Sequence, residues 1–170
     1  SCRETHMSWV FLAGDKVFKL KKPVRFAYLD FSTLARREAM CRAELRLNRR
    51  LAPDVYLDVV PLVLSAQGLS IGGPGDVVDW LVVMRRLEEH WALDRAIEEG
   101  RVKVSQRDRL VTTLGKFYRH ATRPYLSPAA QLNEWHHNIS RDCRFLLDLR
   151  LDLPAGLVRT IERIHRRFLD

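Results

Sequence analysis

Hydrophobic and polar residues alternate along two short stretches near the N-terminus, which predicts a β-hairpin. The stretches are residues 8–12 and 17–23, and alternation is typical of strands whose successive side chains point to opposite faces. Residues 13–16 between them include a glycine that can adopt the positive φ of a tight turn. Residues 32–51 then have helical periodicity, and the residues around 30–33 are good helix caps.

One face of the second predicted strand contains lysines, although the strand is otherwise largely hydrophobic. Alternation puts Val17, Lys19 and Lys21 together, and the following helix contains Glu38 and Glu44. A strand lysine followed by a helix glutamate is the pair that holds nucleotide phosphates in protein-kinase-like folds. A lysine near the end of an edge strand is, however, more often a solvated charge. Helical spacing alone does not decide between the two glutamates.

The next stretch predicts further strands. Residues 55–64 form an extended segment, and residues 65–68 turn it back into a short strand at 69–71. Residues 72–76 are rich in glycine, but no helix and no Gly-Lys-Ser/Thr motif follows them, which argues against a phosphate-binding loop. We interpret them as a hairpin connection to a strand at residues 77–84.

The rest of the chain has helical patterns. A short helix at residues 93–97 precedes three longer ones, which begin near Ser105, Ser127 and Pro154. Periodicity predicts a buried apolar stripe on each of the three. The stripe residues are Leu110, Leu114, Phe117 and Ala121; Leu132, Trp135, Ile139, Cys143 and Leu146; and Leu157, Ile161, Ile164 and Phe168.

Composition narrows the class of protein. With 170 residues, 46% of them hydrophobic, the chain can bury one core or join a small α/β lobe to a helical one. No apolar run approaches the roughly 18 residues that span a bilayer, and no signal peptide is evident, so we expect a cytoplasmic protein without a membrane partner. The three cysteines have no CxxC spacing, which predicts reduced thiols and no metal site.

The net charge raises nucleic acid as a partner. It is +8, from 29 basic and 21 acidic residues, a balance that favours polyanions. The arginines are nevertheless spread over several amphipathic helices without an aromatic stacking platform. We therefore regard nucleic acid as an unlikely partner and keep a basic nucleic-acid-binding protein only as an alternative.

The chain contains four motifs, ETHMSWVFL at residues 4–12, VFKLKKPV at 17–24, LDFSTL at 29–34 and ELRLNRRLAP at 44–53. These motifs resemble a family of bacterial aminoglycoside-phosphotransferase-like proteins, which are often fused to a C-terminal P-loop ATPase domain. The resemblance covers most of residues 4–120. It implies an α+β fold with a protein-kinase-like N-lobe at residues 1–87, made of an antiparallel sheet and one long helix. Residues 88–170 would then begin an α-helical C-lobe.

The resemblance also implies ATP as the cofactor and assigns roles to residues. Lys19 would contact the α- and β-phosphates, and the shared wording around Glu44 favours that residue as its partner. Thr5 and Ser8 lie in the segment that would cover the phosphates. Residues 79–84 would be the last strand of the N-lobe, with Val82 and Met84 near the adenine. The segment before the hairpin leaves no residues for a first strand.

The family's catalytic loop, of the type His-Gly-Asp-Leu-His-x-x-Asn, does not occur in residues 1–170. The resemblance therefore implies a piece of a longer protein whose catalytic base and Mg²⁺ ligands lie beyond residue 170, so no catalytic residue is assigned here. The expected function is nucleotide binding within a phosphotransferase that moves the γ-phosphoryl group of ATP to a hydroxyl of an unknown small molecule. A non-catalytic nucleotide-binding module or pseudokinase is the alternative.

Overall fold

Strands and one helix occupy the first half of the chain, and helices the second half, in the computed structural model, which describes residues 1–26, 28–122 and 125–169. The strands are β1 (Cys2–Glu4), β2 (Ser8–Ala13), β3 (Lys16–Lys21), β4 (Arg25–Phe26), β5 (Leu29–Asp30), β6 (Tyr56–Ser65), β7 (Gly68–Ile71) and β8 (Asp76–Arg85). The helices are α1 (Leu34–Asn48), α2 (Leu93–Glu98), α3 (Val104–His120), α4 (Pro128–Leu146) and α5 (Ala155–Leu169), with 3₁₀ turns at Glu89–Trp91 and Leu149–Leu151. An α+β protein with an antiparallel sheet was expected, and this coarse class is confirmed.

The chain divides into two compact units, Ser1–Arg119 and His120–Asp170. The first unit contains an antiparallel sheet in the order β1-β2-β3-β8-β6-β7. Residues directly opposite each other in neighbouring strands share a face. One such row crosses the sheet from Val10 through Lys19 and Val82 to Val59. The strand lysine therefore lies in the middle of the sheet.

The expectation that no strand precedes the hairpin was wrong. Residues Cys2–Glu4 form edge strand β1, in which Arg3 lies opposite Val10. The Leu12 backbone N–H also donates to the carbonyl oxygen of Ser1 at 2.7 Å. A short, exposed edge strand is held by backbone pairing and needs no hydrophobic alternation, so its sequence gives little signal.

The interpretation of residues 72–76 as a hairpin connection was also wrong. Leu62 in β6 pairs with Ile71 of β7 on one side and with Asp79 of β8 on the other. The glycine-rich segment therefore crosses from one edge of β6 to the opposite edge. Gly75 has φ +134°, and a Cβ there would lie 2.5 Å from the carbonyl oxygen of Leu64. Only glycine fits this close approach.

Helix α1 packs on the face of the sheet that carries Lys19. Its N-cap is Thr33, whose hydroxyl accepts a hydrogen bond from the Arg36 N–H at 3.3 Å, as the capping pattern predicted. Cys41 on the helix is fully buried against Val59 and Val82. The helix ends at Asn48, three residues before the predicted end, because the Leu51 N–H returns to the Asn48 carbonyl and starts a turn.

The three predicted apolar stripes are less buried than expected. The structure buries no side chain of α3, while α4 and α5 bury Cys143 and Val158, respectively, in the second unit. On α5 the predicted stripe points largely to solvent, with Phe168 87% exposed. Periodicity identifies side chains that share a helix face, but it does not show whether another element covers that face. The exposed members of the stripes are Leu110, Trp135, Leu146, Leu157, Ile161, Ile164 and Phe168.

We predict that Gly75→Ala destabilises the first unit. A positive φ at a non-glycine residue costs about 1–3 kcal/mol, and the backbone contact with Leu64 adds to that cost. The matched control is Gly115→Ala in α3, where a Cβ meets nothing within 4 Å and where alanine favours the helix by roughly 1 kcal/mol. Urea denaturation of both variants tests this prediction, and a Gly75→Ala variant as stable as the unaltered chain would contradict it.

Candidate functional site

Two lysines from β3 and one glutamate from α1 form a charged cluster beneath the sheet. The Lys19 Nζ atom donates to Glu44 Oε1 at 2.9 Å, and the Lys21 Nζ atom donates to Glu44 Oε2 at 2.5 Å. Each carboxylate oxygen thus has its own lysine. The exposed fraction of the side chain is 30% for Lys19, 6% for Lys21 and 14% for Glu44. Lys19 is therefore the cation of the cluster that solvent or a ligand can reach.

The local sequence explains why these groups meet. Lys19 and Lys21 are two residues apart in a strand, so they point to the same face. Glu44 lies three residues after Cys41 on the helix surface that faces the sheet. Lys21 is further covered by the Phe31 ring, whose centroid lies 5.0 Å from its Nζ atom. This contact is a cation–π interaction.

The electrostatics of Glu44 reflect a balance between burial and charge. Burial alone raises the pKa of this carboxyl, but the hydrogen bonds and charges of Lys21 and Lys19 outweigh burial and hold the pKa below its ordinary value. The neighbouring Cys41 is different, because burial raises the pKa of its thiol to about 11. The glutamate is therefore charged and the thiol protonated at neutral pH.

Of the two candidate glutamates, the structure pairs Glu44 with Lys19. Glu38 instead forms an ion pair with Arg42, one helical turn away, at 2.8 Å. Arg42 is more than half exposed in that pair. The contact expected for Glu44 is therefore present, whereas its role in nucleotide binding stays a prediction.

The two hydroxyl residues expected near the phosphates lie around the turn between β1 and β2. The Thr5 hydroxyl donates to the carbonyl oxygen of Ser8 and accepts from the Ser8 N–H, both at 3.0 Å. It therefore closes its own turn. Ser8 is buried and lies opposite Lys21 in the register of β2 and β3.

The two residues expected beside the adenine have different environments. Val82 is fully buried in the core between α1 and the sheet, which leaves no surface for contact with a ligand. This finding corrects its assignment as a binding residue. Met84 is partly exposed and lies opposite Val17, on the same face as Lys19. Met84 therefore remains compatible with a ligand on that face.

A cavity of 590 Å³ lies at the end of the sheet where β3 begins and β8 ends. It is bounded by Val17 and Leu12 from the strands and by Leu87 after β8. Val17 precedes Lys19 by two residues in the strand, about 6.6 Å along it, although Lys19 itself does not line the cavity. The remaining lining residues are Arg3, Gly14, Asp15, Arg86, Glu88 and Glu89. A cavity with three apolar and five charged lining residues thus lies at the start of the strand that carries Lys19.

Sequence reasoning missed Lys21 as a member of the site. Strand alternation placed it on the same face as Lys19, and this was the signal that could have identified it. Its neighbour Lys22, directly after the strand, instead forms an ion pair with Glu4 and lies 5.2 Å from the Trp9 ring centroid. Successive lysines of this segment therefore have different surroundings.

Comparison with known proteins finds relatives in mycobacteria. The chain is 34% identical over 143 residues to the uncharacterized proteins Rv2004c and MT2060 of Mycobacterium tuberculosis and Mb2027c of Mycobacterium bovis. The match covers 81% of this chain but 27% of each relative, so the chain spans about a quarter of their length. The chain matches no protein-family profile and no solved structure. In the part of the chain that the structure describes, no helix is both long and apolar enough to cross a membrane.

We predict that Glu44→Gln destabilises the protein by about 3 kcal/mol at pH 7. The substitution removes the counterion of the buried Lys21, and breaking a buried ion pair is costly because one charge remains uncompensated. Glu38→Gln is the matched control on the same helix, and loss of its exposed pair should change the free energy of unfolding by about 0.5 kcal/mol or less. Similar losses in the two variants would contradict the prediction.

The contribution of Glu44 to stability should depend on pH. Because its pKa is lower in the folded than in the unfolded state, the contribution is complete above the unfolded pKa and is lost as pH falls through the folded pKa. The difference in unfolding free energy between the unaltered chain and Glu44→Gln should therefore be largest near neutral pH and shrink in acid. Urea titrations at several pH values below 7 measure this difference. A difference that grows toward acid would contradict the sign.

Proposed function

We propose that the first unit binds the phosphates of ATP through Lys19, as the ATP-binding part of a kinase-like small-molecule phosphotransferase. The observation that carries the proposal is the ion pair between Lys19 in a central strand and Glu44 in the helix beneath it. In kinase-like proteins such a pair positions the lysine for the phosphates. An ammonium that is 30% exposed can both hold this pair and reach an anion.

The topology supports the same proposal. Strands β1, β2, β3, β8 and β6 are consecutive in one antiparallel sheet, and α1 lies between β5 and β6 in the chain. An N-lobe of the kinase type has five such strands and one helix packed on the face that carries the lysine. Strand β7 is an addition at the outer edge. Strand β8 leads directly into residues 86–89, four of the residues around the cavity.

The chemistry of the cavity fits a nucleotide. Leu12, Val17 and Leu87 supply an apolar surface suited to a flat base, and Lys19 provides a cation farther along the same face. A volume of 590 Å³ is within the usual range for small-molecule sites. When bound, ATP would supply the transferable phosphoryl group. Glu44 would keep the Lys19 ammonium oriented, and Lys19 would hold the phosphates.

The reaction that we propose is transfer of the γ-phosphoryl group to a hydroxyl of a small molecule. Such a reaction also needs Mg²⁺ and a group that positions the acceptor hydroxyl. Lys19 and Glu44 supply neither function, so our proposal for the described residues is limited to binding and orienting the nucleotide. A non-catalytic nucleotide-binding module would use the same two residues and would differ in showing no turnover.

We predict that Lys19→Ala weakens ATP binding by about 10- to 100-fold and leaves the fold intact. Loss of a charge-assisted contact costs on the order of 1.5–3 kcal/mol, and removal of a partly exposed lysine opens no cavity in the core. Calorimetry with ATP measures the affinity, and circular dichroism checks the fold. The control is Lys16→Ala, an exposed lysine in the same strand that points to the opposite face. Equal affinities of Lys19→Ala and the unaltered chain would refute the site.

A further inference from the structure

The charges of the lysine cluster do not cancel. Lys19 and Lys21 contribute two positive charges, and Glu44 contributes one negative charge. The neighbouring Arg37 forms its own ion pair with Asp79 at 2.9 Å. A single lysine and a single glutamate would leave a neutral site, whereas this cluster retains one positive charge close to the accessible end of Lys19.

The two lysines differ in whether their ammonium groups can reach a ligand. Lys21 is 6% exposed, lies beneath the Phe31 ring and makes the shorter bond to Glu44. Its ammonium group therefore cannot reach a ligand without leaving the core. Lys19 is five times more exposed and bonds the other carboxylate oxygen. Phe31 is itself buried, which fixes the cover over Lys21.

We propose that Lys21 is a positioning residue that acts as the permanent counterion of Glu44 and so leaves the Lys19 charge available to an anionic phosphate. This inference rests on the proposed nucleotide function and deepens it. With Lys21 in place, the carboxylate remains neutralised when Lys19 turns toward phosphate. Without Lys21, Lys19 is the sole counterion of a buried carboxylate, and moving it toward a ligand leaves that carboxylate uncompensated, which is strongly unfavourable.

The test is a double-mutant cycle on the complete chain with ATP and, separately, inorganic tripolyphosphate as probes. Lys21→Met keeps a similar side-chain volume and removes the charge, and we expect it to weaken binding of both probes by about tenfold, which corresponds to 1.4 kcal/mol. Adding Glu44→Gln removes the carboxylate that would otherwise hold Lys19. The double variant should therefore bind within about threefold of the Glu44→Gln single variant.

If Lys21 had a purely structural role, Lys21→Met would weaken binding in the Glu44→Gln background as well. The matched control is Lys22→Met, which removes one charge from the next residue along the chain, where the lysine pairs with Glu4 instead of Glu44, and should change affinity by no more than about twofold. If Lys21→Met alone fails to fold by circular dichroism, Lys21→Gln replaces it in both arms of the cycle, because it removes the charge and keeps a hydrogen-bond donor for the carboxylate.

The outcomes separate this inference from the proposed function. Absence of ATP binding by the unaltered chain would overturn both. Binding that depends on Lys19 but is unchanged by Lys21→Met would overturn only the role of Lys21. The same follows if Lys21→Met causes as large a loss in the Glu44→Gln background as in the unaltered chain, since Lys21 would then act directly on the ligand rather than through the glutamate.

Discussion

The Glu44 carboxylate lies between a helix and a sheet, largely removed from water, and it remains charged there because two lysines bind its two oxygens. The lysines need the glutamate in return. They are about 6.6 Å apart along one strand, and two positive charges at that separation repel each other by roughly 2–3 kcal/mol at an effective dielectric constant of about 20. A carboxylate between them offsets this repulsion. The three groups therefore form one unit that depends on the contact between α1 and β3.

That contact is fixed at several points along one surface of α1. Arg37 near the start of the helix is paired with Asp79 of β8 and also donates to the Phe31 carbonyl at 3.1 Å. Cys41 fills the middle of the core, and Glu44 follows one turn later. Arg49 just after the helix donates to the Tyr56 carbonyl at 2.8 Å. The three positions within the helix, 37, 41 and 44, recur at helical spacing, so the helix cannot rotate or slide without breaking charged contacts and exposing the core.

The sequence could predict the parts of the fold that local pattern determines. Alternation around Lys19 and the cap at Thr33 gave the hairpin and the helix start, and both have local physical causes. The path of residues 72–76 depends on which edge of β6 the next strand joins, and this non-local choice leaves no periodic signal. The exposed stripe on α5 shows the same limit, because Phe168 is hydrophobic and in phase with the helix but is not covered by the described residues.

The candidate site was only partly predictable, for a related reason. Spacing identified Lys19 but left Glu38 and Glu44 equivalent, since both lie among apolar helix residues. Both lie three residues from Cys41, one on each side of it, so the burial of Cys41 against Val59 and Val82 fixes the rotation of α1 but does not choose between them. The choice depends on which part of the helix lies beside β3. Lys19 and Lys21 of β3 meet the C-terminal half of α1 and pair with Glu44 there, whereas Glu38 pairs with Arg42. The placement of a strand against a helix, which local spacing does not record, thus decides which carboxylate orients the accessible lysine.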